Sequence, residues 1–293
     1  MQEKPVATWP EVALPDTQAR LIRSARGDDY RLLIALPAGP PPPEGFPVIY
    51  LLDANADFAT VTEACRRGAR RSDATGVVPA LVVGIGSPSA ALYDTTRRRR
   101  DYTPGPAAGE APRREVGGAA AFLAFLEDEV KPLIAREFAV DAARQTLLGH
   151  SLAGLFTLWV LTHRPASFQS YVAISPSIWW DEALLRTGFA GVARHVAGGG
   201  RLRGLICVGE WEEALAPWQQ GLGTRAAVEA RRAERGMVRR NRAFAADLAA
   251  ALPDGGRIAF QELPGQDHSS AVPAAISLAL RFALAPRGFD LPG

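Results

Sequence analysis

Gly149-His150-Ser151-Leu152-Ala153 places a serine among small residues at the point where an apolar strand gives way to an apolar helix. A sharp strand-to-helix turn holds such a serine in a strained conformation with its hydroxyl exposed, so its neighbours must be small. A five-residue match is weak alone, and a glycine-rich turn with an incidental serine would read the same. The context strengthens it: Thr146-Leu147-Leu148 precedes, and Leu155-Phe156-Thr157-Leu158-Trp159-Val160-Leu161 follows. The chemistry to expect is acyl transfer with Ser151 as nucleophile. That needs a base, a group to orient the base, and donors for an oxyanion.

The chain has 4 histidines. With a serine on this kind of turn the order is serine, acid, histidine. His150 lies inside the turn, its ring directed away from the attacking oxygen. His163 ends the following helix, roughly three turns away and out of reach. His195 sits in a polar stretch before a later strand. His268, in Pro264-Gly265-Gln266-Asp267-His268-Ser269-Ser270, follows the last strand and is the expected base. The acid should follow the seventh strand, where Val208-Gly209-Glu210-Trp211-Glu212-Glu213 offers three glutamates. Glu210, nearest the strand end, is the first choice; Glu212, Glu213 and an acid-free Ser–His dyad stay open. The oxyanion donors expected are the backbone N–H of Leu152 and that of Asn55, with Ala54 as alternative, from the loop after the third strand.

The elements that must position these residues follow from the apolar runs. Strands are expected at 20–26 and 29–36, joined by Arg26-Gly27-Asp28-Asp29, then at 47–52, 78–84, 146–148, 171–175, 202–209 and 257–263. Helices are expected near 57–70, 115–137 (kinked at Pro132), 152–163, 224–251 and 272–284. The stretch 86–112 lacks periodicity and reads as a long functional loop carrying Arg97-Arg98-Arg99-Arg100. Strands alternating with helices predict an α/β protein with a mostly parallel eight-stranded sheet and helices on both faces. One domain is expected over 1–293, with residues 1–18 as an N-terminal arm.

Bulk composition narrows the function classes. Of 293 residues, 47% are apolar and 22% charged, enough for a full core in a soluble globular chain. A net charge of +2 argues against a general nucleic-acid binder, which needs a basic excess. No apolar run is long enough to span a bilayer. Two cysteines, Cys65 and Cys207, make no disulfide framework and lean towards a reducing compartment. Met1-Gln2-Glu3-Lys4-Pro5 has no apolar h-region, so a cytoplasmic protein is expected, or a periplasmic one if a leader is missing from this numbering. The oligomeric state is not legible.

With these residues in hand, the chain resembles the esterase D family of α/β-hydrolases. Within it the likeness is greatest to ferric-siderophore trilactone esterases of the enterobactin, salmochelin and bacillibactin type. It covers nearly the whole chain: Pro47-Val48-Ile49-Tyr50-Leu51-Leu52-Asp53, Arg100-Asp101-Tyr102-Thr103-Pro104, Gly149-His150-Ser151 with Gly154-Leu155-Phe156, Ser175-Pro176-Ser177-Ile178-Trp179-Trp180-Asp181, and Asp267-His268. The run ending in Trp179-Trp180 is the most specific. Ala153 departs from the family, which usually has glycine there, and the Gly209-Glu210 region does not fix which acid works. The resemblance implies the α/β-hydrolase fold, Ser151 and His268 as catalytic residues, and ester hydrolysis without a metal or organic cofactor.

A ferric tris-catecholate is a trianion built on a lactone ring. An enzyme for it needs an esterase core with cations beside the mouth. Arg98 and Arg100 are the cations expected there, since strand C-terminal ends border the site in open α/β sheets and guanidinium suits anionic oxygens. Trp179 and Trp180 are expected to stack on catechol rings. A solvated basic loop and two packing tryptophans are the plainer reading of the same residues. Two other functions stay open: a general acyl-ester or thioester hydrolase of the S-formylglutathione type, and a non-catalytic binding member of the fold.

Overall fold

The computed structural model describes residues 11–111, 116–221 and 223–285. Of the expected N-terminal arm, residues 1–10 lie outside that set, and its end already belongs to a strand. Among the described residues eight strands form one sheet: β1 (Thr17–Arg23), β2 (Asp29–Ala35), β3 (Phe46–Leu52), β4 (Leu81–Gly86), β5 (Val140–His150), β6 (Ser170–Ile174), β7 (Leu202–Gly209) and β8 (Gly256–Leu263). Their order is β1-β2-β4-β3-β5-β6-β7-β8. β1 and β2 pair antiparallel, as do β2 and β4, and every later pair is parallel. This is the expected α/β-hydrolase architecture.

Eleven helices are described: α1 (Ala54–Ala69), α2 (Ser72–Thr75), α3 (Thr95–Tyr102), α4 (Ala119–Phe125), α5 (Lys131–Glu137), α6 (Leu152–His163), α7 (Glu182–Thr187), α8 (Phe189–Ala197), α9 (Arg225–Arg235), α10 (Met237–Ala251) and α11 (Ala271–Leu284). The central strands are buried on both faces, which is why they read as continuous apolar runs. Ile49, Leu51, Val172 and Leu205 pack on one side with α1 and α11. Tyr50, Leu147, Tyr171 and Ile206 pack on the other with α4, α6, α8 and α10.

Three local expectations change. The stretch 86–112, expected as a loop, contains α3, opened by Asp94, whose carboxylate accepts the Arg97 N–H at 3.0 Å. A side chain that caps a helix offsets the weak internal periodicity of an arginine run. The helix expected at 115–137 starts, within the described residues, at Ala119. Its break at Pro132 takes the form of a π-helical turn, Leu126–Val130, between α4 and α5. Proline has no N–H to bond the preceding turn, so the helix widens ahead of it. The basic helix at 224–251 is two helices, because Gly236 at φ 53 takes the left-handed conformation that ends α9.

The chain steps from β3 out to β4 and returns to β5 on the far side of β3. The C-terminal ends of β3 and β5 therefore flank the point where strand order reverses, where sheets of this type gather ligands.

Candidate active site

Ser151 stands between the end of β5 and the start of α6 with φ 61 and ψ −116. That is a strained conformation for a residue with a side chain, and its surroundings over-determine it. Its N–H donates to Ile174 O at 3.0 Å, while its carbonyl accepts from Leu155 N at 2.9 Å and Ser177 N at 3.1 Å. The turn also needs Gly149, where any Cβ would lie 2.4 Å from the Ala153 carbonyl oxygen. Ala153 itself is fully buried and fits where the family usually has glycine.

The loop after β8 brings in His268. Asp267 shapes it, its carboxylate accepting from Ser269 N at 2.9 Å and Ser270 N at 2.8 Å. Those bonds hold its carboxyl below the usual range. His268 Nε2 lies 3.0 Å from Ser151 Oγ. On the other side of the ring, Nδ1 is 2.6 Å from Glu212 Oε2.

The carboxylate that meets the His268 ring is therefore that of Glu212, one of the alternatives left open, and not that of Glu210, the first choice. Glu210–Glu212 forms a 3₁₀ turn after β7. It swings the third residue back under the strand end, where Glu212 Oε1 accepts from Gly209 N at 2.8 Å and from Ser175 Oγ at 2.5 Å. The carboxylate is buried, with both oxygens hydrogen-bonded. Glu210 turns outward and accepts from Gly265 N at 2.6 Å, steadying the histidine loop rather than the ring. Glu213 pairs with Arg239.

His150 has a part the sequence did not show. Its Nε2 lies 2.9 Å from the carbonyl oxygen of His268, so Nε2 carries the proton and donates. The two rings are 4.7 Å apart between centroids. Burial, followed by the nearness of His268, pushes the His150 ring down to about 3, so it is neutral at working pH. His163 lies on α6, bonded to Thr162 and Trp159, and His195 on α8, and neither lines the recess that holds Ser151.

The N–H of Leu152 opens α6 beside the serine. Asn55 is in the first turn of α1, where Ala56 N to Asp53 O at 2.9 Å is the first bond of the helix. Main-chain donors ahead of that bond have no partner within their own helix. The Asn55 carboxamide is occupied elsewhere, donating to the carbonyls of Ser87, Ser89 and Ala91.

Ser151, His268 and Glu212 open into a recess walled by Trp179, Trp180, Trp211 and a group of arginines. Trp179 is half-buried beneath the Arg235 guanidinium, 4.4 Å above its ring. Trp180 is mostly buried and donates from Nε1 to Gly105 O at 3.0 Å. Arg98 borders the recess, but its Nε is held by the Asp53 carboxylate at 2.9 and 3.0 Å. Arg100 is not in the recess. It faces the β1–β2 turn, bound to Asp28 at 2.8 Å and Asp101 at 2.7 Å. Successive helix residues are about 100° apart, so a run of four arginines must point in several directions. Of that run Arg99 faces the recess, joined by Arg231, Arg232 and Arg235 from α9. Arg231 and Arg235, four residues apart, share one helix face, a spacing the sequence offered. Burial and the neighbouring Arg231 together lower the pKa of Arg232 and of Arg235, as expected where cations crowd.

Among the described residues no group of three or more His, Cys, Asp or Glu is arranged to hold a metal ion, and no helix is long and apolar enough to cross a membrane.

A serine on a strained elbow, hydrogen-bonded to a histidine that a buried carboxylate orients, is an acyl-transfer arrangement. The "Putative esterase" family model matches residues 24–254. The chain belongs to this family. It is 38% identical over 285 residues to the ferri-bacillibactin esterase BesA of Bacillus subtilis, covering 94% of this chain and 92% of the relative. It is 34% identical over 291 residues to the siderophore triacetylfusarinine C esterase of Aspergillus fumigatus, covering 92% and 93%. The crystal structure of the BES protein from Bacillus cereus superposes with a TM-score of 0.82 at 30% identity, covering 96% of this chain and 99% of that one.

Proposed function

We propose that this protein is a serine esterase that opens the ester backbone of a ferric siderophore, with a tris-catecholate trilactone as its substrate class. The observation that carries this reading is the Ser151–His268–Glu212 relay at the foot of a recess lined by arginines and tryptophans. In the first step His268 Nε2 takes the Ser151 proton as Oγ attacks the ester carbonyl. Glu212 holds Nδ1–H, fixing the tautomer and balancing the charge of the imidazolium. The N–H groups of Leu152 and Asn55 receive the oxyanion. The imidazolium returns its proton to the departing alkoxide, and a water activated by the same ring frees the acid from Ser151. Iron belongs to the substrate.

The mouth supports the substrate class. Arg99, Arg231, Arg232 and Arg235 face the space an acyl group would occupy, matching a trianion. Trp211, and Trp179, which Arg235 covers on one side, line the recess and offer apolar surface to aromatic rings. Arg98 and Arg100, spent on internal carboxylates, are left out of this role. Cys65 and Cys207 are buried free thiols, compatible with the cytoplasmic location we propose. The test is a substrate panel: a ferric trilactone, its iron-free form, p-nitrophenyl acyl esters and S-formylglutathione. A kcat/KM highest for the ferric trilactone supports the reading. Preference for the thioester or a short neutral ester would make the protein a general acyl hydrolase, and no turnover of any ester would make it a binding protein.

A further inference from the structure

Asp53, the residue between β3 and α1, has φ 52 and ψ 40, the left-handed region, although it is not glycine. It stands at the N-terminus of α1, yet its side chain caps nothing there. The carboxylate is instead buried and receives Arg98 Nε at 3.0 and 2.9 Å. Its N–H donates to Tyr102 Oη at 3.3 Å. Arg98 and Tyr102 are four residues apart on α3 and so share a face. One helix face therefore grips one residue by both side chain and main chain. The same guanidinium reaches further, with Nη2 donating to His150 O at 3.4 Å, the carbonyl just before Ser151. On the opposite flank Asn55 Nδ2 pins the 87–91 loop through three carbonyls.

We infer that Arg98 and Tyr102 are positioning residues for the oxyanion hole: they hold Asp53 left-handed and so aim the Ala54 and Asn55 N–H groups towards the serine elbow. This rests on the esterase reading of Ser151. Left-handed backbone costs a residue with a side chain free energy, less for aspartate than for most, and the Arg98 and Tyr102 contacts offset that cost. If the clamp lets go, the backbone relaxes towards ordinary φ and the first-turn N–H groups turn with it. Arg98 also bridges the ends of β3 and β5, firmly at Asp53 and through the longer 3.4 Å contact at His150 O, and these two strand ends supply the two proposed donors. Its work is done on the protein and not on the substrate's charge, so a neutral ester and an anionic one should feel its loss equally.

The test uses Arg98→Met, Arg98→Lys and Tyr102→Phe in the full chain, with p-nitrophenyl butyrate as neutral substrate and a trifluoromethyl ketone as a probe that forms an oxyanion on Ser151. Arg98→Met should lower kcat about 10- to 100-fold with KM within about twofold, the pattern of a misplaced donor. Ketone inhibition should weaken in parallel with kcat. Arg98→Lys should recover part of the loss, since it keeps the charge but cannot span Asp53 and His150 together. Tyr102→Phe should show the same signature in smaller degree without lowering the melting temperature. If Arg98→Met does not fold, the other two variants carry the test. Wild-type kcat and ketone affinity in both would overturn the inference, as would a loss confined to the KM of an anionic ester. An inactive wild type would overturn the esterase reading; an active one with indifferent Arg98 and Tyr102 variants overturns only the clamp.

Discussion

Glu212 Oε2 and His268 Nδ1 meet at 2.6 Å, the glutamate side chain 1% exposed and the histidine 47%. The other Glu212 oxygen is taken by Gly209 N–H and Ser175 Oγ, so the carboxylate cannot swing away. Glu212→Gln should lower kcat by about 10²- to 10⁴-fold, because the amide no longer demands the tautomer that leaves Nε2 free to accept a proton. Glu210→Gln and Glu213→Gln should change kcat little. Steady-state kinetics on a p-nitrophenyl ester decides it, and small equal losses at all three positions would favour a Ser–His dyad.

Ser151→Ala and His268→Ala should each cost about 10³-fold or more in kcat, and the double variant hardly more than either, because the pair acts as a unit. Both should melt near the wild-type temperature, since neither side chain is part of the core. His195→Ala should keep most activity. An additive double variant would mean that the two residues work separately.

Most of the frame behind these variants was legible in the sequence. β3, β5, β6 and β7 are apolar runs because parallel strands are buried on both faces, and the elbow shows itself through small residues between two such elements. The acid was not legible. Distance along the chain from the end of β7 favours Glu210, but the 3₁₀ turn folds the chain back so that the third residue returns to the strand end. The place of Arg100 was hidden for a related reason: composition announces a cationic mouth, but which guanidinium reaches it depends on helix phase, and Arg98 borders the recess while Arg100 does not. Arg100 turned to Asp28 and Asp101, Arg98 to Asp53, and α9, distant in sequence, supplied Arg231 and Arg235.

His150 links stability to pH. Burial lowers its pKa from 6.5 to about 3 in the folded protein. Between those values the unfolded chain binds a proton at this ring that the folded chain refuses. The contribution is complete above about 6.5 and is lost as pH falls towards about 3, at up to about 1.4 kcal/mol per pH unit. Asp57, pushed up to about 6 by burial, acts in the opposite sense between its two values. Comparison with a variant, rather than the wild-type slope, therefore isolates the histidine. His150→Gln keeps a donor for the His268 carbonyl and removes the titration. Urea unfolding from pH 4 to 7 should show a shallower acid decline in the variant, and identical slopes would mean that His150 titrates normally.

The arginines that face the recess should govern recognition of charge. Arg231 and Arg235 lie on one face of α9, and Arg235 also covers Trp179. Against a ferric tris-catecholate, Arg231→Ala with Arg235→Ala removes long-range attraction and any direct guanidinium contacts. A hydrogen bond to a charged group is worth about 1.5–3 kcal/mol, so losing two should raise the KM of the trianion well over tenfold. A neutral p-nitrophenyl ester draws on neither effect, and its kinetics should barely move. Raising the salt should weaken the wild-type enzyme for the trianion alone, as screening requires. Arg100→Ala is the internal control: its guanidinium is bound to Asp28 and Asp101, outside the recess, so it should lower the melting temperature and leave the ratio of the two substrates unchanged. If Arg100→Ala altered that ratio and the α9 pair did not, the cationic mouth would lie on the α3 side, and the trianion would have to enter over the turn between β1 and β2.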